Sequence, residues 1–113
     1  MADCLFCKIA AGEIPSTCLY NDDNVYAFLD INPQAPVHFL VIPKAHITGA
    51  AEITAENSVA VAKCFEVIAK LAKEQGLENG YRVITNNGAD AGQTVHHLHF
   101  HVLGGKAMGE KMV

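Results

Sequence analysis

The stretch HHLHFHVLGG, residues 96–105, holds four of the six histidines in a chain of 113 residues. Read as a β-strand, it sorts itself into two sets. Side chains alternate between the faces of a strand, so His97, His99 and His101 share one face and Leu98, Phe100 and Val102 the other. The apolar set can pack beneath a helix while the three imidazoles line up on the open side. His96 falls in the other register, near the strand start, and stands apart from the row.

Outward from this strand, residues 3–11 read as a short helix stopped by Gly12 and Pro15. Residues 16–20 and 25–30 read as strands around the polar turn NDDN, and residues 37–42 (VHFLVI) as a strand ended by Pro43. The segment INPQAP between them is a loop, since each proline forces extended geometry on the residue before it. A long helix is expected over residues 54–75, with Thr54 as N-cap, Glu56 in the first turn, Lys70 and Lys73 in the last, and Gly76 as the stop. Val61, Phe65, Ile68 and Ala72 form its apolar stripe. Cys64 and Leu71 widen that stripe, leaving room for part of the helix to be buried in a partner subunit. YRVIT (81–85) is a further strand, followed by the polar loop NNGADAGQT (86–94) and a last strand over 95–103. Strands on both sides of one main helix, without βαβ alternation, predict an α+β fold on a mostly antiparallel sheet.

At this length, residues 1–113 are expected to form a single domain. Eight Lys/Arg against twelve Asp/Glu give a net charge of −4. The basic residues are scattered, so no nucleic acid polymer is expected as partner, although a mononucleotide in a pocket is compatible. No charged leader precedes an apolar core at the N-terminus, and no apolar run approaches the roughly 18 residues of a membrane span. The expected setting is the cytoplasm, with reduced thiols and no membrane partner.

Three readings of the imidazole row are open. Solvent-facing polar residues on a half-buried strand would explain one histidine better than three at two-residue spacing. Neighbouring His-x-His pairs can chelate zinc. However, His97 and His101 lie about 13 Å apart on a strand rising about 3.3 Å per residue, so one ion cannot take all three. The third reading is chemistry on phosphorus. A neutral imidazole is a nucleophile near pH 7, and its neighbours can donate hydrogen bonds to phosphoryl oxygens. The preceding loop supports this, because Gly88 and Gly92 let backbone approach closely and exposed N–H groups can form an anion nest.

His97-Leu98-His99-Phe100-His101-Val102-Leu103 fits the His-φ-His-φ-His-φ-φ signature of the histidine triad (HIT) family. The chain resembles the Hint branch of that family over nearly its whole length. FCKIAAGEIPS, AFLDINPQAPVHFLVIPKAHI, GYRVITNNG and GQTVHHLHFHVLGG all look like Hint segments in Hint order. The resemblance implies a HIT-like fold: a five-stranded antiparallel sheet with one long and one short helix, its sheets joined across a homodimer. It implies a hydrolase acting on phosphorus–nitrogen bonds. The substrates would be purine nucleoside 5′-phosphoramidates, cleaved through a covalent nucleotidyl-histidine on His99, with AMP or GMP as product and no organic cofactor. Hydrolysis of dinucleoside polyphosphates, as in a sister branch, is an alternative within enzymes. A nucleotide-binding regulatory protein with little catalysis is another, against which the intact triad argues.

Carried over residue by residue, the resemblance makes His99 the nucleophile, His101 and His97 its triad partners, and His38 a supporting histidine. From the residues alone, the lesser alternative for His38 is a hydrogen-bonded core histidine. Asp30 would hold the ribose hydroxyls, although on sequence alone it could equally be a turn residue ahead of Asn32-Pro33. Leu5, Phe6, Ile9, Phe28 and Ile31 would form the base pocket; by composition all five are core. Asn86, Gly92, Gln93 and Thr94 would meet phosphate or leaving group. Thr94 stands where Hint proteins often have serine, and His96 where an aromatic residue is common. The segment after Gly105 is shorter than the C-terminal extension of some relatives, which leaves substrate preference open.

Cys4 and Cys7 share a face of the expected first helix, so both thiols can point at one ion. In HIT proteins that keep this pair, zinc is held by the two cysteines, the histidine after the Pro-Lys motif and the first triad histidine. Those positions are Cys4, Cys7, His46 and His97, and the resemblance therefore implies structural Zn2+. The alternative is a pair of buried thiols without metal. A redox role is disfavoured because no thioredoxin-like βαβ pattern surrounds the pair. Cys18 and Cys64 read as core.

Overall fold

The computed structural model describes residues 3–112. Strands β1 (Cys18–Asn21), β2 (Val25–Leu29), β3 (Val37–Pro43), β4 (Tyr81–Ile84) and β5 (Phe100–Gly104) form one antiparallel sheet in the order β1-β2-β3-β5-β4. Helices α1 (Leu5–Ala10) and α2 (Ser58–Glu74) complete it, one short and one long, as the resemblance implies. Among the described residues, no helix is long and apolar enough to cross a membrane.

The β1–β2 turn is held by Asp22, whose Oδ1 accepts from the amides of Asn24 (2.7 Å) and Val25 (2.8 Å). That is the usual reason Asp favours such turns. Alternation along the central strands then builds two cores. Val25, Ala27, Phe39, Val41, Leu98, Phe100 and Val102 face α2, which covers them with Cys64, Val67, Ile68, Leu71 and Ala72. On the opposite face Tyr26, Phe28, Leu40 and Ile42 meet Phe6 and Ile9 of α1. Each large apolar side chain so buried contributes about 1.5–3 kcal/mol. Gly104 on β5 is packed so closely that an added Cβ would lie 2.7 Å from Leu77 Cδ2.

Four local expectations are corrected. α2 begins at Ser58, not at 54, because residues 54–57 are tied into a turn of their own. Asn57 Oδ1 accepts from the Thr54 amide at 2.7 Å, Thr54 Oγ1 accepts from the Glu56 amide at 3.2 Å, and Asn57 takes the cap position. The stripe is rotated: Cys64 and Leu71 lie at its centre, while Phe65 is exposed and only rests its ring against Phe100, 5.1 Å away. Cys18 is exposed on β1 rather than core.

The fourth correction concerns the last strand, which starts at Phe100 and not at 95. The β3–β5 ladder stops at Val41↔Phe100. Just beyond that point β3 ends at Pro43, which has no amide to donate. The chain before β5 is anchored differently: the Leu98 amide donates to Ile47 O at 2.6 Å, and His97 Nε2 to Pro43 O at 2.7 Å. Alternation nevertheless persists through the irregular stretch, with Leu98 in one core and His97 and His99 on the opposite side.

Candidate active site

The register of the sheet places Phe28, Leu40, His101 and Ile84 in one row across β2, β3, β5 and β4. His38 lies two residues before Leu40 and therefore on the same face, diagonal to His101. This face is not open. α1 lies over it, and His97 and His99 are 0% and 7% exposed. The Phe6 ring meets that of His99 edge-on, with centroids 5.0 Å apart and planes at 89°.

Backbone groups fix the proton positions of His38 and His99, and His38 in turn fixes that of His101. An amide N–H can only donate, so His38 Nδ1, 3.0 Å from the Gln34 amide, is an acceptor. Burial lowers the His38 pKa, against a smaller opposing pull from Asp30. The neutral ring therefore holds its proton on Nε2 and donates it to His101 Nδ1 at 2.9 Å. His101 in turn carries its proton on Nε2. Burial, then the charges of His99 and His38, hold His101 down to about 4 despite Asp30, so it is neutral at pH 7. His99 Nδ1 donates to the carbonyl of His97 at 2.7 Å, which leaves its Nε2 lone pair free in the neutral ring.

His99 and His101 line a cavity of about 550 Å³. Asp30, Asn86, Gly92 and Thr94 line it too, as do Leu5, Phe6, Ile9, Phe28 and Ile31. Gly92 has φ +78°, a left-handed conformation that suits glycine. Ile31 is 99% exposed, so it stands on the rim rather than in any core. Asp30 serves the turn, its Oδ1 accepting from the Asn32 amide at 2.8 Å, while Oδ2 lies 3.4 Å from His38 Nε2.

Of the expected phosphate contacts Gln93 lies elsewhere, whereas His38 takes the supporting place and His97 the cysteine-side place that were expected of them. Gln93 does not line the cavity. Its Oε1 accepts from the Gly88 amide and its Nε2 donates to Thr48 O (2.8 Å) and Val95 O (3.1 Å), clasping two loops together. The His97 side chain also points away, into the cysteine cluster, and only its carbonyl serves His99. His38 is set behind His101 and does not line the cavity. The anion nest is likewise not formed by its expected groups. The Ala91, Gly92 and Gln93 amides bond to carbonyls within the loop, and the Gly88 amide bonds to Gln93. Leu40 and Val95, missed as lining residues, were findable for Leu40 alone, because it is two positions from His38. The Gln34 amide had no sequence signal.

Cys4, Cys7, His46 and His97 form a second cluster, with one ligand atom from each all within 4.8 Å of one another. Cys4 Sγ is 3.3 Å and Cys7 Sγ 3.5 Å from His97 Nδ1, and Cys7 Sγ is 3.3 Å from His46 Nδ1. Tetrahedral zinc with 2.0–2.3 Å bonds separates its ligands by about 3.3–3.8 Å, so these three separations match such an ion and the four groups could hold it. His97 Nε2 donates to Pro43 O, the outer-sphere partner that orients a metal-binding imidazole. Burial, then hydrogen bonding and charge from Cys4, raise the Cys7 thiol pKa in the absence of a cation.

A model of the HIT domain matches residues 11–108. The purine nucleoside phosphoramidase of Escherichia coli K12 is 45% identical over 106 residues, spanning 93% of this chain and 89% of that protein. A solved HIT family hydrolase from Clostridium thermocellum superposes with a TM-score of 0.97 at 49% identity, covering 100% of this chain and 99% of its own. A histidine triad protein from Clostridium difficile gives 0.94 at 50% identity, over 98% and 97%. With the triad, the sheet and a family match through most of its length in agreement, the chain belongs to the HIT family.

Proposed function

We propose that the chain is a hydrolase of purine nucleoside 5′-phosphoramidates, working through a nucleotidyl intermediate on His99. The observation that carries this reading is the hydrogen bond from His99 Nδ1 to the His97 carbonyl. It leaves the Nε2 lone pair available on a residue that lines the cavity. The name borne by the Escherichia coli relative supports the choice of substrate.

The base lies between Phe6, Ile9 and Phe28, over the Ile31 rim, and the Asp30 carboxylate accepts from the ribose hydroxyls. His99 Nε2 attacks the α-phosphorus; a nitrogen–phosphorus bond forms to the ring as the substrate's own breaks. The amine departs with a proton taken from solvent, with the Thr94 hydroxyl beside it. His101 Nε2–H donates to a phosphoryl oxygen, where negative charge develops as the bond to His99 forms. Water then attacks phosphorus, the ring leaves, AMP or GMP is released, and one proton goes to solvent.

Zinc fits Cys4, Cys7, His46 and His97, where it would cross-link α1 to the triad strand as a structural ion. Val59, Phe65 and Tyr81 are exposed on α2 and the edge strand β4, a surface suited to a homodimer. Reduced thiols at the metal site suit the cytoplasm. The decisive test is turnover of an adenosine phosphoramidate by His99→Gly. A loss of about a thousandfold or more with an unchanged fold is expected, and retained turnover would overturn the mechanism.

A further inference from the structure

A structural zinc site has all four coordination positions filled by protein, so an ion can enter or leave only where its ligands are reached from outside. The cluster of Cys4, Cys7, His46 and His97 is closed on one side only. His97 is wholly buried at its rear, while the other three are half-buried. A cavity of about 470 Å³ opens against it, lined by Cys4 and His46 from the cluster and by Asp3 and His96 from outside it. Asp3 and His96 are both exposed and both offer donors suited to a divalent cation. His96 has no task in the triad, since it lines this cavity and not the one that holds His99 and His101.

Resting on the metal reading above, we propose that Asp3 and His96 form an outer station through which a zinc-like ion exchanges with the four-ligand site. An ion leaving a tetrahedral thiolate–imidazole site must break bonds one at a time. Donors waiting at the cavity mouth replace each lost bond and lower the barrier to exchange. Cys4 and His46 yield first, because they face the cavity, and Cys7 and His97 last. Each thiol gives up its proton on uptake and regains one on release. Asp3 adds negative charge where the cation enters.

The test uses the protein as purified, with its metal content measured first. Release of zinc into excess chromogenic chelator is followed by stopped flow, and Co2+ uptake by its thiolate charge-transfer band. Asp3→Asn and His96→Ala should each slow release and uptake together by about tenfold, since each lost bond raises the barrier by about 1.4 kcal/mol. Zinc affinity should stay within about twofold, as should turnover, because neither residue belongs to the catalytic machinery. Unchanged rates in both variants overturn the exchange station while leaving the metal site standing. A drop in affinity matched by faster release overturns it too, by making these residues ordinary ligands. Protein that neither holds nor takes up an ion defeats the metal reading itself.

Discussion

His38 donates its Nε2 proton to His101 Nδ1 across 2.9 Å, and so decides which nitrogen of His101 faces the cavity with a proton. The arrangement starts from a main-chain group, the Gln34 amide, which no side-chain substitution other than proline removes. The donor that the proposed reaction turns toward phosphate is thereby set two links away.

Replacing His38 by alanine removes the middle link. His101 Nδ1 is left without its donor, at a cost of about 1–3 kcal/mol in stability. The ring is then free to take the other tautomer, and kcat should fall about 10–100-fold with KM little changed. Steady-state kinetics and urea unfolding measure both effects; a change confined to stability would show that the link is merely structural.

Acid should weaken the fold through the same ring. His101 titrates at about 4 in the folded chain against 6.5 for an unperturbed histidine. A depressed folded pKa means that the unfolded chain binds the proton more readily. Its contribution is therefore full above pH 6.5 and is lost as pH falls toward 4. The slope from this one group reaches at most about 1.4 kcal/mol per pH unit. His101→Gln should flatten the stability curve in that window, and an unchanged curve in urea titrations would count against the assignment.

Asp30 is expected to read the sugar. Asp30→Asn should lower kcat/KM about 10–100-fold for a ribonucleoside phosphoramidate, the scale of lost charge-assisted hydrogen bonds. A 2′,3′-dideoxy substrate, lacking the hydroxyls, should lose far less. Equal losses on both would place Asp30 in the support of His38 rather than at the ribose.

Leu98 sits between two working histidines yet packs under α2, 1% exposed. Leu98→Ala should cost about 2–5 kcal/mol and should also reduce turnover, because the stretch that carries His97 and His99 is anchored from below. Thermal denaturation alongside kinetics checks this; full activity at a lowered melting temperature would show that the imidazoles hold their places without the core.

The division of this strand into core and site was legible in the sequence, since alternation is a local property. So were the two cysteines and two histidines of the second cluster as residue types, with the family resemblance supplying the pairing. What escaped was tertiary. That α1 lies over the imidazole face follows from where Phe6 and Ile9 find apolar partners, which no spacing within residues 96–105 records. Gln93 has the composition of a ligand contact, but two carbonyls and an amide from neighbouring loops claim it first. The rotation of the α2 stripe has a similar origin: Phe65 fits the helical period, yet the centre of the contact is set by which residues meet Phe39 and Val41.

The bond from His99 Nδ1 to the His97 carbonyl has an evolutionary consequence. Any amino acid at position 97 supplies that same carbonyl. The orientation of His99, the proposed nucleophile, is thus insulated from substitution of its neighbour's side chain, so a metal-binding role proposed for His97 could be lost without turning the His99 ring.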